Sequence, residues 1–225
     1  MLTLVLAETE IEQIPKKILF HPDVKSSAKK RGKKPNEIIL NSSYHHSAMK
    51  KIKEGYRRGR PDILHFFLIN TLESILNKQD KLKTVIHTRN DEAIYVTPET
   101  RIMRDYNRFI GLMEQLFEKK YVPNKEKPLL YINENQTLED IIEKSSADIK
   151  IGFSTKGKQV NLPAYFNDLK QKNMDDVLCV IGGFPKDSYK NNIQSLTDKV
   201  LSICNKNLSS WTVANEIIVN YENVY

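Results

Sequence analysis

Arginine is absent from the last 117 residues of this 225-residue chain; all eight lie between Arg31 and Arg108. Cysteine is nearly absent too. Cys179 and Cys204 are the only two, which excludes a disulfide framework and a cysteine-based zinc set. The five histidines are scattered, and no His/Cys/Asp spacing matches a zinc or two-metal pattern. With only eight glycines, the chain holds no Gly-x-Gly-x-x-Gly fingerprint, no P-loop and no Gly-x-Ser-x-Gly elbow. No apolar run approaches the roughly 18–20 residues that span a bilayer. The opening segment, Met1 to Glu10, is apolar and then acidic, without a basic leader. It predicts a first strand and no signal peptide, so the expected location is intracellular, reducing and cytoplasmic, with no membrane partner.

What is present is charge, unevenly placed. Residues 1–121 hold 23 Lys/Arg against 15 Asp/Glu, and residues 122–225 hold 12 against 13. The halves thus carry +8 and −1, with an isoelectric point near 9.2. Such a balance points to nucleic acid or an anionic surface as partner. Arginine grips phosphate with a planar fork, where lysine is a point charge.

Short β-branched runs alternate with helical patterns, predicting an α/β fold on a largely parallel sheet. Strands are expected at 3–7, 37–40, 83–87, 93–96, 129–132, 149–153, 177–182 and 199–203. Helices are expected at 43–55, 62–77, 105–120, 137–145, 163–172 and 208–221. The helix from 62 is apolar nearly all round and reads as buried. Residues 22–36, lysine-rich and small, read as a mobile basic loop. Residues 121–128, with two prolines, read as a hinge between halves.

Twelve Lys/Arg against two acids fall between residues 25 and 60. Arg57, Arg58 and Arg60 sit on a Gly/Pro turn that feeds the buried helix, and Asp62 is spaced to hold Arg60 in a bidentate pair. Arg101, Arg104 and Arg108 recur at three and four, so a helical backbone would put them on one face. Tyr56 and Tyr106 lie among these arginines and suit stacking on unpaired bases. For the lysines of 29–34 a merely solvated surface competes with a binding role. His65 reads as a core histidine.

The neutral half has three strand ends with small or glycine residues: Ile151 to Gly157, Ile181-Gly182-Gly183-Phe184-Pro185, and Leu201 to Asn207. Ligands of open α/β sheets bind at that edge, and the ligand expected there is uncharged or weakly charged.

Read in order, Arg57-Arg58-Gly59-Arg60-Pro61-Asp62-Ile63, Ile86-His87-Thr88-Arg89-Asn90, Pro98-Glu99-Thr100-Arg101, Tyr106-Asn107-Arg108-Phe109, Ile181-Gly182-Gly183-Phe184-Pro185 and the final Trp211-Thr212-Val213 helix carry a resemblance over nearly the whole chain. The chain resembles the ribosome-biogenesis branch of the SPOUT, or trefoil-knot, RNA methyltransferases, in an archaeal type. That resemblance implies one domain over 1–225, with a SPOUT-type Rossmann-like sheet and a C-terminal deep trefoil knot at about 149–221. It implies basic RNA-binding elements at about 22–60 and 98–110, and N1-methylation of a pseudouridine in small-subunit ribosomal RNA from S-adenosylmethionine. Thr155, Ile181, Gly182, Gly183, Leu201, Ser202, Ile203, Cys204, Asn205, Lys206 and Leu208 are the implied cofactor residues. Arg60, steadied by Asp62, with Arg101, Arg104 and Arg108, are the implied RNA ligands, and Arg60 and Asp62 the candidates for orienting substrate. A homodimer through the helix around Trp211 and small-subunit ribosomal proteins are the further partners implied. The alternative is a non-enzymatic assembly factor with a vestigial cofactor pocket; a sister SPOUT enzyme with another target base is a third reading. The chain departs from the family at Ile102-Met103, where Leu-Pro is usual, and at Cys204, where Tyr is common.

Overall fold

A computed structural model of the chain describes residues 1–186 and 188–225. Among them, eight strands form one sheet: β1 (Leu2–Thr9), β2 (Leu82–Thr88), β3 (Ala93–Val96), β4 (Tyr121–Val122), β5 (Leu130–Asn133), β6 (Ile149–Gln159), β7 (Val177–Gly182) and β8 (Lys199–Ser202). Their order is β4-β5-β3-β2-β1-β7-β6-β8. The five from β2 to β8 in that order are parallel, and β3, β5 and β4 extend the sheet antiparallel.

β1 lies in the middle, which is why Leu2 to Ala7 is a nearly unbroken apolar run: a parallel strand covered on both faces has no polar side. Leu2, Leu4 and Leu6 join one core cluster and Val5 and Ala7 the other, as the two-residue repeat of a strand demands. The larger cluster takes residues from α3 (Pro61–Leu72), α5 (Tyr106–Lys119), α7 (Leu162–Gln171) and α9 (Ser210–Glu222); the smaller takes α6 (Leu138–Glu143) and α8 (Ile193–Leu196). Two further helices are α1 (Pro22–Lys30) and α2 (Ser42–Met49), and α4 (Ile75–Lys78) follows α3.

Five expectations need correction. The helix expected at 43–55 ends at Met49. The segment 22–36 is not a loose loop, because Pro22 to Lys30 forms α1. Val24 and Ala28 bury there against Ile38, Leu40, Ala48 and Met49 in a small core of their own. The following turn is held by Arg31 and Lys33, 3.0 and 3.1 Å from the buried carboxylate of Glu114 on α5. The expected strand at 37–40 makes only an isolated bridge, Gln13 to Ile39. The expected hinge at 121–128 instead contributes β4 to a sheet that both halves build. The helix from 61 stops at Leu72, where Ser74 caps a new start by accepting from the Asn77 N–H; on α3, Phe66 stays 48% exposed.

His45, buried in the small lobe, accepts from the Asn41 N–H at 3.0 Å. Burial lowers its pKa from about 6.5 to about 4, with Arg31 adding to the fall and Asp23 opposing it. The unfolded chain therefore binds more protons between those values, so this stability is present above pH 6.5 and lost as pH falls towards 4. Burial also lowers the His87 pKa, so His87 contributes in the same direction. Urea midpoints should fall from pH 7.5 to 5, and His45→Asn, which keeps an acceptor, should flatten part of that slope.

Candidate functional site

The carboxyl ends of β6, β7 and β8 open onto a cavity of about 450 Å³, a size ordinary for small-molecule sites. Each wall has a local cause. Along β6 the register with β8 shifts, so that Phe153 and Lys158 both pair with Leu201 and residues 154–157 between them have no partner in β8. Gly157 permits the return, since a Cβ there would lie 2.5–2.7 Å from Leu201 backbone atoms. At the end of β7, Gly183 donates to the Ala7 carbonyl at 2.7 Å and accepts from the Glu10 N–H at 3.2 Å. A Cβ on Gly183 would meet Thr9 at 2.5 Å, so this position stays glycine. Beyond it, the Phe184 ring stands edge-on to Tyr189 at 5.3 Å. The Tyr189 hydroxyl donates to the Phe153 carbonyl at 2.9 Å, tying the second wall to the first; burial pushes its phenol pKa up. The third wall descends from Ser202, whose hydroxyl donates to the Cys204 carbonyl at 2.7 Å, to Ser210 on α9, which donates to the Gly182 carbonyl.

Thr155, Ile181, Gly182, Leu201, Ser202, Ile203, Cys204, Lys206 and Leu208 all line this cavity. Gly183 and Asn205 do not; Gly183 is spent on packing against β1. Phe184, part of the expected strand end at 181–185, also lines it, and so does Tyr189, which lies outside all three expected strand ends. An aromatic next to a double glycine was the available signal for Phe184, while nothing in the spacing pointed to Tyr189. The cavity is also less neutral than expected, with Lys156, Lys186 and Lys206 among its lining residues. Lysine can lay its stem against a wall and keep its ammonium in water. Among the described residues no group of His, Cys, Asp or Glu is arranged to hold a metal.

The arginines divide into two populations. Arg57 is 2% exposed. Its guanidinium donates to Glu10 Oε1 and Glu8 Oε2, each at 2.7 Å, and to the Ser188 carbonyl at 2.9 Å. Arg58 grips Glu12 in a bidentate pair, and Arg89 pairs with Glu10 and with Glu54. The expectation that Arg57 and Arg58 face a polyanion is therefore wrong. Glu8, Glu10 and Glu12, buried at and past the end of β1, consume them, because a buried charge must be paired. The acid at every second residue there is the mark this pairing leaves in the sequence.

Arg60 is different. It is the residue before α3, donates to Asp62 at 2.8 and 2.7 Å through both ends of its fork, and remains about a third exposed. The Asp62 hydrogen bonds raise its pKa despite partial burial. Arg101, Arg104 and Arg108 are all exposed. They do not share a helix face, since α5 begins only at Tyr106 with Asp105 as cap, accepting from the Arg108 N–H at 2.9 Å. The loop before it is fixed instead by His65 of α3, whose Nε2 lies 2.7 Å from the Met103 carbonyl while its ring stacks on Phe109. Asn41 ties the start of α5 from the other side, donating to the Tyr106 hydroxyl at 3.0 Å. Tyr106 is thus packed against His65 and hydrogen-bonded, and burial pushes its phenol up. Tyr56 keeps 69% of its surface exposed.

One family model, that of the EMG1/NEP1 methyltransferases, matches residues 4–222 of the chain. The chain belongs to that family. Among EMG1/NEP1 relatives, it is 44% identical over 221 residues to the ribosomal RNA small subunit methyltransferase Nep1 of Pyrococcus furiosus, covering 98% of this chain and 96% of that one. Its identity to the protein of the same name in Thermococcus onnurineus is 46% over 222 residues, covering 99% and 98%. The fold matches the crystal structure of Archaeoglobus fulgidus Nep1 bound to S-adenosylhomocysteine with a TM-score of 0.85 at 34% identity, covering 99% of this chain and 97% of that one. The SPOUT assignment made from the motifs is consistent with this family.

Proposed function

We propose that the chain methylates small-subunit ribosomal RNA from S-adenosylmethionine, at N1 of a pseudouridine, and acts in small-subunit biogenesis in the cytoplasm. The observation that carries this is the 450 Å³ cleft at three strand ends, in a chain 44% identical to a small-subunit rRNA methyltransferase. The cleft fits the cofactor: Ile181, Leu201, Ile203 and Leu208 offer apolar wall, while Thr155, Ser202 and the strand-end backbone offer hydrogen bonds. When bound, the cofactor supplies a sulfonium methyl group. The protein's part is to hold the acceptor nitrogen in line with that methyl, about 3–3.5 Å away, and to keep the unstacked base in place. Arg60, aimed by Asp62, stabilises charge developing on the uracil carbonyls as the weakly acidic N1–H gives its proton to water. Arg101, Arg104 and Arg108 hold flanking phosphates.

We assign the homodimer face to α3 and α9. Support comes from Phe66, whose ring lies 5.0 Å from Trp211, and from Val219, 54% exposed on α9. The 149–221 segment is assigned as the knot. Support comes from its path: β8 pairs at the sheet's outer edge, and α9 then returns to pack on α3, β1 and β7 at its centre. Among the described residues no helix is long and apolar enough to cross a membrane.

Calorimetry with S-adenosylmethionine, followed by mass spectrometry of pseudouridine-containing 16S rRNA, tests the activity. Binding with a one-methyl mass gain on the pseudouridine is expected. Clean cofactor binding without methyl gain would leave only a role in assembly. For the RNA face, Ala at Arg60, Arg101, Arg104 or Arg108 should weaken binding. Each loss should shallow the slope of log affinity against log salt by about 0.7, the value per phosphate contact on a single strand. Unchanged slopes would remove that arginine from the interface.

A further inference from the structure

Between the cofactor cleft and the RNA-facing arginine lies a chain of buried contacts that neither binding role requires. The Arg57 guanidinium points three ways, to Glu8, to Glu10 and to the Ser188 carbonyl, and its flat face covers the Phe184 ring at 4.0 Å. Phe184 and Ser188 both line the cleft. Glu8 holds the same loop from below. Its carboxylate accepts from the Lys190 N–H at 2.8 and 2.9 Å, the Asn191 N–H at 2.8 Å and the Asn191 side-chain amide at 3.0 Å. Glu8 reaches there with a left-handed backbone, φ 51°, a conformation that costs energy for a non-glycine residue and persists where its surroundings fix it.

Glu10 completes the path. Its backbone N–H donates to Gly183, and its carbonyl accepts from the Arg60 N–H at 2.9 Å. A single residue therefore sits between the β7 glycine turn and the arginine that faces RNA. Three residues before Arg60, Arg57 clamps the cleft loop through its side chain. A displacement of Phe184 or Ser188 would shift the Arg57 fork that contacts both, and through Glu10 and the short 57–60 turn it would shift Arg60. Packed, fully paired interiors of this kind shift between discrete arrangements instead of stretching.

We infer that Arg57, with Glu8 and Glu10, is a positioning device that couples the two sites, so that cofactor in the cleft and RNA at Arg60 strengthen each other's binding. This rests on the proposed function, since it needs both ligands. Coupling of this kind is reciprocal by thermodynamic necessity.

Fluorescence titration of the full-length protein with a 16S rRNA transcript, with and without saturating S-adenosylhomocysteine, reads the coupling directly. The apparent Kd for RNA should fall about 5-fold or more with the cleft filled, and the Kd for S-adenosylhomocysteine should fall by the same factor with RNA present. In Arg57→Lys, which keeps a charge but loses the fork, both factors should move towards one. Phe184→Leu, which removes the ring under the guanidinium, should do the same if Arg57→Lys fails to fold. Phe166→Leu, in the core between sheet and α9, should lower stability yet keep the factor, which separates coupling from stability. Binding of both ligands with a factor of one, or an undiminished factor in the variants, overturns the coupling alone. Failure of either ligand to bind overturns the coupling together with the proposed function.

Discussion

Glu10→Gln should cost about 3–5 kcal/mol of folding stability, the usual penalty for removing one partner from a buried ion pair. Glu10 is fully buried and its two oxygens serve two arginines, Arg57 at 2.7 Å and Arg89 on the opposite side. Glutamine has the same shape but turns an amide donor towards a guanidinium that has only donors. Neither arginine can escape to water by rotating, because Arg57 is also held by Glu8 and Ser188, and Arg89 also by Glu54. For a chain of this size the loss corresponds to about 6–20 °C in melting temperature. Thermal and urea unfolding measure it, and a shift below about 2 °C would mean that the network is not holding charge as described. The same buried network is weak evidence for net stability, since an apolar replacement of the whole set can be neutral. Its worth lies in direction: it fixes where Arg57 points.

Gly157→Ala should weaken S-adenosylmethionine binding by about 1–3 kcal/mol, the range for forcing extra atoms into a packed site, or roughly 5- to 150-fold in Kd. A Cβ at 157 would press on the backbone of Leu201, not on a side chain that can swing away. Since Leu201 lines the cleft, relief must come from moving β8 off β6 and changing the third wall. Gly111→Ala is the comparison. On α5 a Cβ at 111 meets nothing within 4 Å, so it should stabilise by about 0.5–1 kcal/mol through helix propensity and leave the Kd unchanged. Calorimetry of the two variants side by side decides it; equal affinities would show that β6 and β8 can slide apart without cost.

The alternation of strands and helices was legible because both periods are strong. β1, β2, β3, β5, β7 and β8 lie within a residue or two of where the apolar runs predict them, and α5, α6, α7 and α9 likewise. Two-residue β4 carries no period at all, and β6 runs on to Gln159 through polar residues because pairing with Leu201 and Ser202 resumes there. α1 is illegible in the sequence for a different reason. Its apolar content is Val24 and Ala28, too little to form a stripe, and its burial depends on a partner lobe that folds from residues 38–52. Most of the cleft was legible as strand ends with glycine. The arginines were only half legible: a count of charges cannot distinguish Arg58, locked to Glu12, from Arg60, held out by Asp62, although they are two positions apart. What separates them is the carboxylate each meets: Glu12, buried just past β1, or Asp62, part-exposed in the first turn of α3.

The central position of β1 also sets when the molecule can finish folding. Its six pairings on one side are with β7, from Leu2 opposite Val177 to Ala7 opposite Gly182, each 175 residues apart in sequence. Closing so large a loop is slow, since its entropy is lost before the contact rewards it. On a ribosome, the chain therefore emerges with an apolar strand paired on one edge only, and stays so until β7 has been made. An unpaired apolar edge invites association with other chains. A nascent or truncated chain ending before residue 177 should accordingly need a holding chaperone, and should aggregate when expressed alone.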